Sequence, residues 1–162
     1  MNKKGHVLNA VALSVGLAVL CHPAGDFTTL RAIVAITVPV TLGALLPDVD
    51  TAFGTHRKTL HNLPTLAVFV VYPLYFDNLQ FVWLGVATHY ALDLLGSKRG
   101  LALFYPLDRA EYDLPVGVSA RSRYAGGVMV IVTAFELVIA AALLTEYPRR
   151  LVAYGLRASG LL

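Results

Sequence analysis

Leu45–His61, LLPDVDTAFGTHRKTLH, sets two aspartates (Asp48, Asp50), two histidines (His56, His61), Arg57 and Lys58 in a short gap between long apolar runs. The chain has only five histidines and ten acidic residues in all. A carboxylate or imidazole held near lipid is costly unless it is paired, solvated or bound to a cation, so this concentration needs a physical reason.

The composition around it settles the class. With 57% hydrophobic and 14% charged residues over 162 positions, and a mean hydropathy of +0.66, the chain lies well outside the soluble average. A soluble domain of this size could not hide so much apolar surface, whereas lipid is a solvent for it. We therefore expect an all-α integral membrane bundle in a single domain over residues 1–162. One cysteine, Cys21, excludes an intrachain disulfide. The sequence pI near 9.1 could suggest nucleic acid, but no basic stripe interleaved with aromatics appears, and basic residues beside apolar runs more often set membrane orientation.

Five apolar runs follow one another: Val7–Leu20, Thr28–Leu46, Leu63–Phe76, Phe81–Leu95 and Gly126–Leu144. A span needs about 20 apolar residues, so the first, third and fourth reach it only by taking in polar neighbours such as His6, His61, His89 and Asp93. The first run is read as a retained span, with a cleaved signal peptide as the alternative. About five crossings with a cytoplasmic amino terminus put Lys3, Lys4, Arg57, Lys58, Lys98, Arg99, Arg109, Arg121 and Arg123 on one side and Arg31, Arg149, Arg150 and Arg157 on the other. Nine against four follows the positive-inside tendency. The dissenting carboxyl-terminal arginines are accommodated if 147–162 is an interfacial helix or a tail.

The same topology gathers His6, Asp48–His61, His89 and Asp93 at one membrane face. His89 and Asp93, in THYALDLLGSKRG, are four residues apart and emerge from one helix face, so both can reach one cation. Each piece alone has a plain alternative: a histidine–carboxylate bond between packed helices, or a solvated turn after Pro47. Jointly these do not explain why four of five histidines and three of ten acids cluster at span ends on one side. We therefore expect a polar metal site at that face. Arg57 and Lys58 are candidates to hold a substrate phosphate, the positive-inside signal being the alternative; Lys98 and Arg99 would grip an anionic headgroup or anchor a helix end. Asp50 is the candidate for a bridging or base role. His22 is read as a loop residue. Glu136, midway along the fifth run, must face the bundle or be protonated. Residues 100–123 read as a lid or an interfacial loop, where Asp108, Glu111 or Asp113 could add a ligand.

His6, then LLPDVD, HRKTLH, THYALD with Gly96, and Pro106 in LFYPLD, form an ordered set that resembles the YdjM-like family over roughly residues 1–108, leaving 126–144 as an extra span. That family is described as LexA-binding, inner-membrane-associated, metal-dependent hydrolases, distantly similar to zinc-dependent phospholipase C and P1 nuclease. The resemblance implies phosphoester hydrolysis with His6, Asp48, Asp50, His56, His61, His89 and Asp93 as the ligand set. An amino-terminal tryptophan and a second His-x-x-x-Glu pair are missing, so one or two ions are expected rather than three. Nitrogen and oxygen donors without cysteine suit zinc first, with manganese or iron as alternatives. A site at headgroup level favours a phospholipid or related lipid phosphate as substrate, membrane lipid as partner, and no nucleic acid. The competing readings are a non-catalytic membrane regulatory or binding protein with a structural metal, and a transporter. The latter fits poorly, because the polar residues crowd one face and no internal repeat is visible.

Overall fold

The computed structural model describes residues 2–97, 99–115, 118–119 and 122–144. Lys98, Arg121 and the segment 147–162 expected as an interfacial helix or tail lie outside the described residues. Five α-helices carry the fold: α1 (Lys3–Cys21), α2 (Phe27–Leu45), α3 (Leu63–Phe76), α4 (Val82–Leu95) and α5 (Ala125–Leu144). Each matches one apolar run to within a few residues. No strand occurs among the described residues, only an isolated antiparallel bridge between Leu101 and Tyr112. Three helical stretches, α1, α2 with the turn that continues it, and α5, are long and apolar enough to cross a membrane. The other two, α3 and α4, have 14 residues each, about 21 Å of rise against a hydrocarbon core of about 30 Å.

The helix starts are set by short polar side chains. The Asn2 side chain accepts from Gly5 N–H, Asp26 from the Thr28 and Thr29 amides, and Asn62 from Thr65 N–H. α2 does not stop cleanly at Leu45. Pro47 cannot supply the amide an α-helix needs there, and the chain tightens into a 3-10 helix, Pro47–Ala52, that carries Asp48 and Asp50.

The core is a close contact of small residues. Ala10 and Ala18 of α1 pack with Ile36, Val40 and Ala44 of α2. α2 and α4 cross at Gly43 and Gly85, where an added Cβ on either would meet the other helix's backbone: Val82 O for Gly43, and Val40 O with Ala44 N for Gly85. Without a hydrophobic force between helices in lipid, such close approach is what holds them. α3 packs on α4, with Leu66 and Phe69 against Val82, Val86 and Tyr90. α5 packs chiefly on α1, while Val130, Ile131, Phe135 and Val138 point outward.

Candidate metal centre

Four segments deliver the polar residues to one end of the bundle. His6 comes from the first turns of α1, Asp48 and Asp50 from the 3-10 helix, His56 and His61 from the loop before α3, and His89 with Asp93 from the second half of α4. His6, Asp50, His61, His89 and Asp93 are each no more than 2% exposed. His56 and Asp48 are partly exposed, with side chains 38% and 15% accessible, and form the open edge of the cluster.

The hydrogen bonds fix which ring nitrogens carry protons. His89 Nδ1–H donates to the Ala44 carbonyl (2.6 Å), since a carbonyl can only accept. The Asp50 carboxylate accepts from His56 Nδ1–H at Oδ1 and from His61 Nδ1–H at Oδ2, both 2.9 Å. In the neutral rings the three remaining Nε2 atoms keep their lone pairs. His61 Nε2 and His89 Nε2 face each other 3.1 Å apart. Asp93 Oδ2 stands 3.7 Å from the first and 3.6 Å from the second, and Asp48 Oδ1 is 3.8 Å from His89 Nε2. His6 lies flat on His89, centroids 3.8 Å apart and planes 11° from parallel. Its Nε2 is 3.3 Å from Asp93 Oδ1 without hydrogen-bonding alignment, and neither of its buried ring nitrogens has a hydrogen-bond partner.

These donors fit a cation. Two nitrogens each about 2.1 Å from one zinc ion stand roughly 3.0 to 3.4 Å apart, which brackets the separation of the two facing lone pairs. In each of two sets, His6–His89–Asp93 and Asp48–His56–His61, one donor atom per residue lies within 4.8 Å of the others, and the facing Nε2 atoms link the sets. Asp50 belongs to neither set. It holds two imidazoles in the tautomer that presents Nε2, the arrangement by which carboxylates orient metal-binding histidines.

The basic residues are committed elsewhere. Arg57 sits in the left-handed region (φ 69°) and is buried. Its guanidinium donates to the Arg99 carbonyl (2.6 Å) and lies 3.4 Å from Asp93 Oδ2, while its own carbonyl accepts from Ala102 N–H (3.1 Å). Lys58 Nζ pairs with Glu111 (2.9 Å), and that bond holds the Glu111 carboxyl below the usual range. Residues 99–115 thus fold back over the 55–63 loop. Leu101 and Tyr112 exchange backbone bonds at 2.9 Å, and Leu63 N–H donates to Leu103 O at 2.8 Å. Asp108 accepts from Ala110 N–H and Tyr112, and is exposed. His22 is an exposed residue at the end of α1, as its loop assignment required.

Two residues drew no notice in the sequence, one that holds the cluster together and one that ties α1 to its neighbours away from it. Tyr90 donates to Leu60 O (2.5 Å) and accepts from Asn62 N–H (3.2 Å), so the residues on either side of His61 are tied to the helix that bears His89. Its position directly after His89 was the available signal. Tyr90→Phe should cost about 1–3 kcal/mol for the groups left unpaired and weaken metal binding about tenfold, a second-sphere effect to be read by metal titration. The other is Asn9, whose partners are on α5 and α4.

Burial, reinforced by His89 alongside, holds the His61 imidazole down at about 4, against an ordinary 6.5. The neutral ring is the folded form. Above about pH 6.5 neither the folded nor the unfolded chain carries this proton, so its contribution is flat. Between 6.5 and 4 the unfolded chain takes up a proton that the folded one refuses, and stability should fall with pH by on the order of 3 kcal/mol. Thermal unfolding in detergent across that range checks this, and bound metal should leave in the same window because its histidine ligands must be neutral.

Five helices with apolar outer faces, and a histidine–carboxylate cluster able to hold a metal at one end, define a helical membrane protein with a candidate metal centre. The profile of the family described as YdjM inner membrane protein matches residues 1–158, and the chain belongs to that family. The match runs past the 1–108 stretch that carries the motifs and takes in α5. No curated protein and no solved structure matches the chain.

Proposed function

We propose that this chain is a membrane-embedded, metal-dependent hydrolase of a phosphoester in a phospholipid or related lipid phosphate. The observation that carries the reading is the approach of His61 Nε2 to His89 Nε2, 3.1 Å apart in a buried site, while the Nδ1 atoms of both rings are engaged elsewhere. Two lone pairs held that close repel unless a cation lies against both. One or two divalent ions would be held by His6, His89 and Asp93 and by Asp48, His56 and His61, zinc first by donor type, with manganese or iron as alternatives. When bound, such an ion supplies a water of lowered pKa and a charge that polarises the phosphoryl group.

The chain's own residues divide the remaining work. Asp50, both of whose oxygens are taken by imidazole Nδ1–H groups, orients His56 and His61 rather than bridging ions or acting as the base. Arg57 braces Asp93. To meet a phosphate, its guanidinium would turn from the Arg99 carbonyl, and Lys58 would leave Glu111. The partly exposed edge at Asp48 and His56 is where substrate enters, while the buried set at His6, His89 and Asp93 is closed by protein, the usual contrast between a catalytic and a structural site. The Lys and Arg count supports a multi-pass arrangement with this end on the cytoplasmic side of the inner membrane.

A second reading, a membrane regulatory or binding protein with a structural metal, is favoured by that complete burial. Elemental analysis of purified protein with a panel of phosphate esters, on the wild type and Asp50→Asn, separates the two. The hydrolase reading expects about one or two transition-metal equivalents, ester turnover, and a 10- to 100-fold weaker metal affinity in a folded Asp50→Asn protein. Metal without turnover of any ester supports the structural role. Absence of transition metal, with no activity restored by adding it, sinks both.

A further inference from the structure

α4 is shorter than its neighbours, and its position leaves a space. It begins at Val82, three residues before its crossing with α2 at Gly85, whereas α2 begins at Phe27, sixteen residues before Gly43. At 1.5 Å per residue, α2 extends about 24 Å from the crossing and α4 only about 5 Å. A cleft of about 800 Å³ runs along α4 from Phe81 to Ala91, walled by Leu17, Ile36, Leu84, Ile139 and Leu143 from α1, α2, α4 and α5. Thr88 and Glu136 also line it.

Those polar groups are satisfied among themselves. Asn9 Nδ2 donates to Thr133 Oγ1 (2.8 Å) and Glu136 Oε2 (3.1 Å), and the Thr133 hydroxyl to Met129 O (2.9 Å). Thr88 has one hydroxyl hydrogen, yet its Oγ1 lies 2.6 Å from Asn9 Oδ1 and 2.5 Å from Glu136 Oε1. Both contacts are hydrogen bonds only if Glu136 Oε1 brings the second hydrogen. Glu136 is then a neutral carboxylic acid, and the donor count closes without water or a counter-ion.

An apolar cavity of ~150 Å³ already excludes water and takes up a hydrocarbon guest. This cleft is larger, has exposed His22 as the one basic residue of its lining beside the neutral Thr88–Glu136 pair, and is walled by three helices long and apolar enough to cross a membrane. Hydrocarbon is the medium at that depth. We propose that the cleft between α1, α2, α4 and α5 binds one hydrocarbon chain of a membrane lipid, with the Thr88–Glu136 pair at its polar boundary. The site is separate from the metal chemistry, and its test reads no turnover.

Trp83 lines the cleft and is the chain's one tryptophan. Phosphatidylcholine with brominated acyl chains, titrated into the full-length protein in detergent, should quench Trp83 fluorescence and saturate at about one lipid per chain. Ala87→Phe, which fills the cleft, should remove the saturable component and leave metal content unchanged. If that variant does not fold, Ala140→Phe on the opposite wall makes the same test. Quenching that rises without saturation, or is equal in wild type and filled variants, overturns the proposal. So does a wild type that shows no saturable quenching because residues 145–162 or a second copy occupies the cleft.

Discussion

His89→Ala should strip the protein of metal, lowering affinity by at least 100-fold, and abolish any ester hydrolysis with it. The His89 side chain touches both halves of the cluster, as that of His61 does. His89 Nε2 lies 3.1 Å from His61 Nε2, 3.6 Å from Asp93 and 3.8 Å from Asp48, and its ring carries the stacked His6. Loss of an orienting residue already costs about 10- to 100-fold in metal affinity, so loss of a shared donor costs more. The substitution also leaves the Ala44 carbonyl without its partner and opens a hole beside His6, a stability loss of about 1–3 kcal/mol on hydrogen bonding alone. Metal content and helical content of the purified variant are the measurements to make together. His22→Ala, in an exposed turn, is the control and should match the wild type in both. A folded His89→Ala protein with wild-type metal content would remove His89 from the centre and, with it, the proposed reading of the site.

The helices were legible because apolar runs of this length leave few alternatives, and Leu63–Phe76 coincides with α3 residue for residue. The cluster was legible for a related reason: in a chain so poor in charge, residues such as Asp50 and His61 stand out against lipid, and helix periodicity puts His89 and Asp93 on one face. What could not be read is whatever depends on backbone or on partners distant in sequence. The Ala44 carbonyl fixes the His89 tautomer, yet a carbonyl has no letter of its own. That both Asp50 oxygens are taken by imidazole nitrogens follows only from where the His56 and His61 rings point. Arg57 and Lys58 read as phosphate binders because Arg99, Asp93 and Glu111, their partners in the structure, lie 36 to 53 positions away. Glu136 was placed correctly as a residue that must face the bundle or carry a proton. Its contacts with Asn9 and Thr88, 127 and 48 positions distant, lay beyond any local pattern.

Gly85→Val should unfold the bundle or cost more than 3 kcal/mol, and should release metal although Gly85 touches no ligand. Overpacking a core usually costs about 1–3 kcal/mol, because side chains can shift to absorb it. Here the atoms in the way are Val40 O, Ala44 N and Gly43 C, all backbone, so α2 and α4 themselves must part. The position of His89 against Ala44 depends on that same crossing, so separation of the helices breaks the 2.6 Å bond that holds the ring in its metal-presenting tautomer. Gly85→Ala is the milder probe, since its one methyl meets the same backbone. Gly126→Ala is the matched control: it too lies in a helix, with nothing within 4 Å of an added Cβ, and should be neutral or stabilising by up to about 1 kcal/mol. Thermal unfolding and metal content measured on all three test whether packing and site are coupled. If Gly85→Ala melts early yet keeps its full complement of metal, the α2–α4 crossing supports the fold without positioning His89, and the link between the glycine contact and the metal centre is broken.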